Sequence, residues 1–340
     1  MLNKGLSIGQ NGGNALESHH IKILKIYTLN SATFYSLLIS PFNKTWGFRV
    51  FINMIPFKLY EPMKSHLSFN CGGAAKFYFE PQNIQELLNA INYCKQIKRK
   101  CFILGNGTNV ICSDDGYTGA VICTKKLQNI LLTKYNNSVF INLEAGVSLF
   151  KLNRMLADLG IEGLEWSYGI PGSVGGAVYM NAGAYGHDIF EFVDYVEVLS
   201  RGKVKRLKKE QIKFGYRSGG LKNKVILKVG LKLVSNSPTN VKEKQDYYMS
   251  LRLQKQPLEY PSAGSVFKRK GEIIPAEIID KLGLKGAIIG GAKVSEKHAG
   301  FIVNYNSATT TDVLKLIEKV ESEVYNKTGI KLEREIVLLK

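Results

Sequence analysis

Cysteine is scarce and unpatterned in this 340-residue chain: Cys71, Cys94, Cys101, Cys112 and Cys123 include no C-x-x-C pair and are odd in number. That excludes a disulfide framework and a cysteine zinc site, and leaves free thiols of a reducing cytosol. The histidines, His19, His20, His66, His187 and His298, offer no H-x-x-x-H pair, so no metal is expected. Acid is almost missing from residues 1–57, where Glu17 stands alone. Within residues 1–57 no run is apolar enough to span a membrane, since their longest uncharged stretch, 26–43, holds Pro41 and several Ser, Thr and Asn. Nucleic-acid signatures are missing too. The formal net charge is +18, but the lysines are scattered through every predicted element, with no basic–aromatic patch or zinc-finger spacing. Such a diffuse excess reads as a solvated surface, and neither nucleic acid nor membrane is expected as a partner.

What is present is an ordinary globular composition, 45% hydrophobic, in a chain long enough for two or three domains. Residues 1–62 read as a basic N-terminal extension without helical or strand periodicity, expected to be poorly ordered. Its composition fits a transit peptide, a tail, or a mis-assigned start with Met54 or Met63 as the true one. Beyond it the pattern is α+β. A strand at 77–80 precedes a helix capped by Asn83, with Ile84, Leu87, Leu88, Ile91, Cys94 and Ile97 on one face. Strands follow at 101–104, 119–124 and 139–145, then a helix at 149–159 closed by Gly160. A hairpin is expected at 192–200 and 203–208 around Arg201-Gly202, then a strand at 224–235. The Asn, Ser and Pro cluster near 235–239 marks a domain boundary. Helices at 241–254, 275–282 and 312–327 and a final strand at 331–339 complete the chain.

Glycine is concentrated in one place. Residues 168–186 read YGIPGSVGGAVYMNAGAYG, with six glycines among small and apolar residues. Glycine costs backbone entropy, so this density calls for positive φ angles or a backbone lying directly against a ligand. A pyrophosphate is the expected partner, because successive amides without Cβ atoms form an anion-binding concavity. Pro171 and Ser173 sit where the loop turns into a helix, which would put free amides and the positive dipole end together. A second run, CFILGNGTNV at 101–110, is a strand followed by a glycine turn. It is not a dinucleotide fingerprint, because Val110 stands where G-x-G-x-x-G needs its third glycine.

Four further segments carry chemistry: Tyr216-Arg217, Arg252 with Gln256-Pro257, GSVF at 264–267, and Glu333-Arg334-Glu335. Together with the glycine runs, LSFNCGGAAKFYFEP at 67–81 and IGGAKVSEKHAGFIVN at 289–304, they closely resemble the UDP-N-acetylenolpyruvoylglucosamine reductases. The resemblance covers roughly 63–340, in the form without the inserted substrate-covering loop. It implies a two-subdomain FAD-binding fold of the vanillyl-alcohol-oxidase (PCMH) type over 63–235. An α+β substrate domain would follow over 236–340, with its last strand returning to the flavin region. It further implies a cytoplasmic enzyme of peptidoglycan precursor synthesis, expected to be a monomer.

The resemblance also implies the site. FAD, bound without a covalent link, would be held by Gly105, Asn106, Gly107, Thr108 and Asn109, and by Gly169, Pro171, Gly172, Ser173, Gly175, Gly176, Asn181, Gly183 and Ala184. NADPH would reduce it, and UDP-N-acetylglucosamine enolpyruvate would then take a hydride from flavin N5 to become UDP-N-acetylmuramate. Ser265 matches the family's proton donor, Arg217 the arginine on the carboxylate and developing enolate, and Glu335 the glutamate beside it, protonated through its anionic surroundings. Tyr216, Arg252 and Lys268 would hold the diphosphate and sugar. Gly264 would let the Ser265 hydroxyl come close, and His298 and Lys297 read as structural or as rim residues. The chain departs from the family at Gly219, where relatives usually carry serine, at Val337, where many carry arginine, and at Arg269. The alternatives are another FAD-dependent oxidoreductase on the same fold and a basic binding protein without catalysis.

Overall fold

The computed structural model describes residues 56–340 throughout and, before them, only the strand backbones Ile23–Ile26, Thr33–Ile39 and Val50–Phe51. The rest of the expected N-terminal extension lies outside the described residues. Among the described residues no helix is long and apolar enough to cross a membrane.

The first sheet is built on three strands that are nearly all apolar, as strands covered on both faces must be. Ala74–Phe79, Tyr117–Cys123 and Cys101–Leu104 run parallel, with Tyr117–Cys123 in the middle. Helix α1, Ile84–Gln96, starts where Asn83 caps the Glu86 amide and lays Leu87, Ala90, Ile91 and Cys94 over Phe79, Ala120 and Ile122. The ordered sheet begins earlier than residue 63: strand Phe57–Pro62 pairs antiparallel with Ala74–Phe79, and Phe57 packs into the α1 core. The backbones of Thr33–Ile39, Ile23–Ile26 and Val50–Phe51 continue from that edge.

A second, antiparallel sheet has the order Ile130–Tyr135, Ser138–Glu144, Val225–Ser235, Val193–Ser200, Lys203–Lys208. Its hairpin turns at Arg201 and Gly202, both at positive φ, as a two-residue turn between twisted strands requires. Helices α2 (Leu149–Asp158) and α3 (Val174–Met180) cover it, burying Leu152, Leu156, Val174 and Val178 against Ile141, Leu143 and Val229. Helix α4, Pro238–Lys255, follows the cluster expected to divide the domains, yet it packs back on this unit. Buried Gln245 donates to the Asn153 carbonyl of α2 at 2.8 Å. The expected helix at 241–254 begins earlier because Ser237 caps it and Pro238 opens it.

The C-terminal unit orders its strands Ser262–Ser265, Phe301–Asn304, Ala292–Val294, Ile288–Ile289 under helices α5 (Pro275–Lys281) and α6 (Thr310–Thr328). Helix α6 carries a Thr309–Asp312 capping box, ends at left-handed Gly329, and buries Val313, Ile317, Val320 and Val324 over Val294 and Ile302. The expected terminal strand at 331–339 is shorter. Only Val337–Leu339 is strand, lying parallel to Val110–Cys112 of the first unit. Its upstream residues are used differently: the Lys268 amide donates to the Glu333 carbonyl and the Glu335 amide to the Val266 carbonyl. The chain end therefore joins the C-terminal unit to the first one.

Candidate active site

The two glycine runs, 65 residues apart at their closest bond, form one surface: the Asn106 side-chain amide donates to the Pro171 carbonyl at 2.8 Å. A Cβ on Gly105 would lie 2.5 Å from the Ser173 hydroxyl, so glycine is needed for the two runs to touch. Gly107, at φ +70°, packs so closely on the His66 carbonyl that no side chain fits there either.

The anion-binding amides are not where the helix-start argument places them. Helix α3 spends its first amides on protein: Val174 donates to the Val147 carbonyl, Gly175 to the Ala145 carbonyl, and Gly176 to the Ser173 hydroxyl. Gly175 is a packing glycine, since a Cβ there would stand 2.7 Å from that of Ala145. The physical reason is burial. A helix start wedged against a sheet edge must satisfy its donors locally. The amides of Gly105, Asn106, Gly107, Thr108 and Asn109, and of Gly172 and Ser173, donate to no described atom. These successive unpaired donors are the amides left free to face an anion.

Under the glycine run lies Arg252. It is 5% exposed, donates Nε to the Tyr168 carbonyl and Nη1 to Gln256, and stands over the Tyr185 ring. Its Nη2 has no partner among the described residues, and burial lowers the guanidinium pKa. A buried cation with a free donor and, among the described residues, no carboxylate partner is chemically able to take up an anion.

The remaining charges meet at the far end of the run. Arg217 occupies the tip of a tight turn in which Gly215 and Ser218 exchange two backbone hydrogen bonds, and its own φ is +52°. Its Nη2 donates to the Gly183 carbonyl at 3.1 Å, and its Nε lies 2.8 Å from Glu335 Oε1 as a close ion pair with a poorly aligned N–H. The Glu335 side chain is 14% exposed against 66% for Glu333, so the two glutamates are not equivalent solvated positions. Burial pushes the Glu335 carboxyl above its ordinary pKa, against the opposing pull of Arg217 and Lys268. Ser265 ends its strand beside Val266, whose carbonyl takes the Glu335 amide at 2.7 Å. Arg217, Glu335 and the Ser265 segment are thus brought together from three distant parts of the chain.

The other expected residues divide. The Tyr216 hydroxyl accepts from the Arg269 amide at 3.3 Å, and its ring lies under the Arg217 guanidinium. The Lys268 ammonium is 2.6 Å from Glu333. Gly264 is required for its φ of +76°, and a Cβ there would meet nothing within 4 Å, so room for Ser265 is not what selects it. The glycine at Gly219 has a packing cause, because a Cβ would overlap the Val178 carbonyl. Val337 supplies its amide to the Asn109 carbonyl. His298 accepts from the Gly300 amide, and burial lowers its pKa. Ala184 pairs with His187 in a short hairpin. Asn181, expected at the cofactor, is buried with its side chain on Phe190 and Gly215. An asparagine just beyond a helix end is the left-handed cap signature, and that signal was open to sequence reading.

Residues 75–208 match the family model of an FAD binding domain, and residues 256–339 match that of the UDP-N-acetylenolpyruvoylglucosamine reductase C-terminal domain. The UDP-N-acetylenolpyruvoylglucosamine reductase of Thermosipho melanesiensis is 44% identical over 281 residues, 81% of this chain and 93% of that one. That of Listeria monocytogenes is 40% identical over 288 residues, 84% of this chain and 95% of its own. The crystal structure of UDP-N-acetylenolpyruvylglucosamine reductase from Thermus caldophilus aligns with a TM-score of 0.71 at 30% identity, covering 84% of this chain and 99% of that one.

Proposed function

The chain belongs to the UDP-N-acetylenolpyruvoylglucosamine reductase family, and we propose that Arg217, Ser265 and Glu335 carry its reaction. It is an FAD-binding oxidoreductase of peptidoglycan precursor synthesis that reduces UDP-N-acetylglucosamine enolpyruvate with NADPH. The fold is the expected α+β one, an FAD-binding domain followed by the family's C-terminal domain.

The observation that carries the assignment of roles is the Arg217–Glu335 pair, in backbone register with the Ser265 segment. The unpaired amides of 105–109 and of Gly172 and Ser173 suit a diphosphate, so the protein's residues fit FAD. FAD, when bound, accepts hydride from NADPH and supplies it to the enolpyruvyl double bond. Arg217 would hold the substrate carboxylate and the negative charge that grows beside it, a task for a planar cation that stays ionised. Ser265 would deliver a proton to the α-carbon. Glu335, whose carboxyl burial pushes above its ordinary pKa, would in its protonated form donate to the growing enolate instead of repelling it. Arg252 would offer its free Nη2 to an anionic group of a bound nucleotide, and Tyr216 and Lys268 would line the sugar-nucleotide side. All these groups come from one chain, in keeping with a monomer. The cytoplasm, where NADPH and nucleotide sugars are made, is the matching compartment.

The experiment is NADPH consumption by FAD-loaded protein with and without UDP-N-acetylglucosamine enolpyruvate. Dependence on the sugar nucleotide is expected. Oxidation that ignores it would move the function to another flavin reaction.

A further inference from the structure

We propose that Asn181 is a positioning residue for Arg217: its side-chain amide moulds the turn that holds the arginine against Glu335, and it is not a cofactor ligand. The inference rests on the roles read above for Arg217 and Glu335.

Arg217 sits in an unfavourable backbone state, φ +52° for a residue with a long side chain. Such a conformation costs on the order of 1 kcal/mol and persists only where the surroundings over-determine it. The surroundings come from the second half of the glycine run. The Asn181 Nδ2 donates to the Gly215 carbonyl at 3.0 Å, fastening the entry to the turn. The Tyr179 carbonyl accepts from the Gly219 amide at 2.9 Å, fastening its exit. The Gly183 carbonyl then takes Arg217 Nη2 at 3.1 Å. Residues 179–183 form the mould, and Arg217 is what it shapes.

The chemistry at 181 selects asparagine. Its side chain is buried, 2% exposed for the residue, and faces one donor, the Phe190 amide, which it shares at 3.4 Å with Asp188 Oδ1 at 3.0 Å, and one acceptor, the Gly215 carbonyl. Only an amide offers both an oxygen acceptor and a nitrogen donor at this length. Aspartate would set a carboxylate oxygen against the Gly215 carbonyl and loosen the turn. Asn181 itself is left-handed, φ 45° and ψ 62°, a state asparagine reaches more readily than other non-glycine residues. Both ends of the side chain are engaged inside the protein and the residue is 2% exposed, so the amide faces the turn and not an open ligand surface.

The test uses the FAD-loaded full chain with Asn181→Asp, Asn181→Ala, Arg217→Lys and the double variant Asn181→Ala/Arg217→Lys. Four quantities are measured: FAD affinity, flavin reduction by NADPH, single-turnover transfer to UDP-N-acetylglucosamine enolpyruvate, and calorimetric affinity for that nucleotide. Both Asn181 variants should keep FAD affinity and the first half-reaction within about threefold. Transfer should fall about 100-fold, the size of loss that misplacement of about 1 Å brings. The double variant should be little slower than Arg217→Lys alone, and the pH profile of transfer should shift in the same direction in both single variants. Normal transfer in both Asn181 variants, with Arg217→Lys slow, would overturn the positioning role while keeping the function. Normal transfer in Arg217→Lys would overturn the reading of the site itself. Loss of FAD, or an equal fall in both half-reactions, would return Asn181 to the cofactor or to general structure. The alanine variant carries no buried charge and keeps the question open to measurement if the aspartate variant does not fold.

Discussion

Asn109 ties the cofactor turn to the segment that carries Glu335: its side-chain amide donates to the Glu335 carbonyl at 3.1 Å, while its own carbonyl accepts from the Val337 amide at 2.9 Å. The residue expected to touch FAD is therefore also a clamp on the C-terminal segment. Asn109→Ala leaves the Glu335 carbonyl without that donor, a loss of about 1 kcal/mol. Urea denaturation should show a destabilisation of that size, and transfer to the sugar nucleotide should slow more than flavin reduction does. Equal slowing of both would mean that the clamp serves the cofactor alone.

The touching glycine runs make a steric prediction. Gly105→Ala places a Cβ 2.5 Å from the Ser173 hydroxyl and must push the runs apart. FAD affinity, followed by the fluorescence of released flavin, should drop at least about tenfold, the effect of about 1.4 kcal/mol. Gly186→Ala is the contrast: the residue has φ +89°, but a Cβ there meets nothing within 4 Å, so only backbone strain is added. Its FAD affinity should change less than that of Gly105→Ala.

Ser265→Ala should spare reduction by NADPH and slow the second half-reaction by about 10²–10⁴-fold, the usual worth of a positioned proton donor. Stopped-flow absorbance separates the two steps. Equal losses in both would remove Ser265 from the donor role.

Glu335 has a folded-state pKa above its ordinary value, set first by burial and opposed by Arg217 and Lys268. The folded carboxyl then holds its proton more tightly than the unfolded chain does. Its contribution to stability is fully present below the unfolded pKa of about 4.3 and is lost as pH rises through the folded value. The stability of Glu335→Gln relative to wild type should therefore increase from pH 4 upward, measured by denaturation at each pH. Transfer by the wild-type enzyme should weaken as pH rises through the same group. Arg217→Met, which removes one of the opposing cations, should move that inflection further up.

Arg252 predicts opposite signs for stability and binding. It is a buried cation whose Nη2 has no partner, and which has no carboxylate, among the described residues. Arg252→Met removes a desolvation penalty and should leave the ligand-free protein no less stable in thermal melts. It should also weaken binding of an anionic nucleotide by about 1.5–3 kcal/mol, the worth of a charged hydrogen bond. Unchanged affinity for both FAD and the sugar nucleotide would remove Arg252 from the site.

Much of this was legible in the residues alone. The α1 cap at Asn83, the hairpin at Arg201-Gly202, the closure of α2 at Gly160 and the apolar stripe of α6 all follow from local spacing and turn chemistry, which a short window of sequence contains. The glycine runs were legible as a ligand surface for the same reason, since glycine density is a local cost that needs a cause. What the window could not hold is who satisfies whom. The α3 amides looked free until the Ala145 and Val147 carbonyls were packed against them. Glu335 lies inward beside Arg217 while Glu333 stays exposed, because Val266 holds the Glu335 backbone. Strand 331–339 looked continuous until 333–335 paired with 266–268. Composition, periodicity and motif order determined the elements, the glycine-rich surface and the family resemblance. Only the tertiary structure decided which amides stay unpaired, which asparagine shapes a turn, and which glutamate is buried, because hydrogen-bond partners and desolvation come from residues distant in the chain.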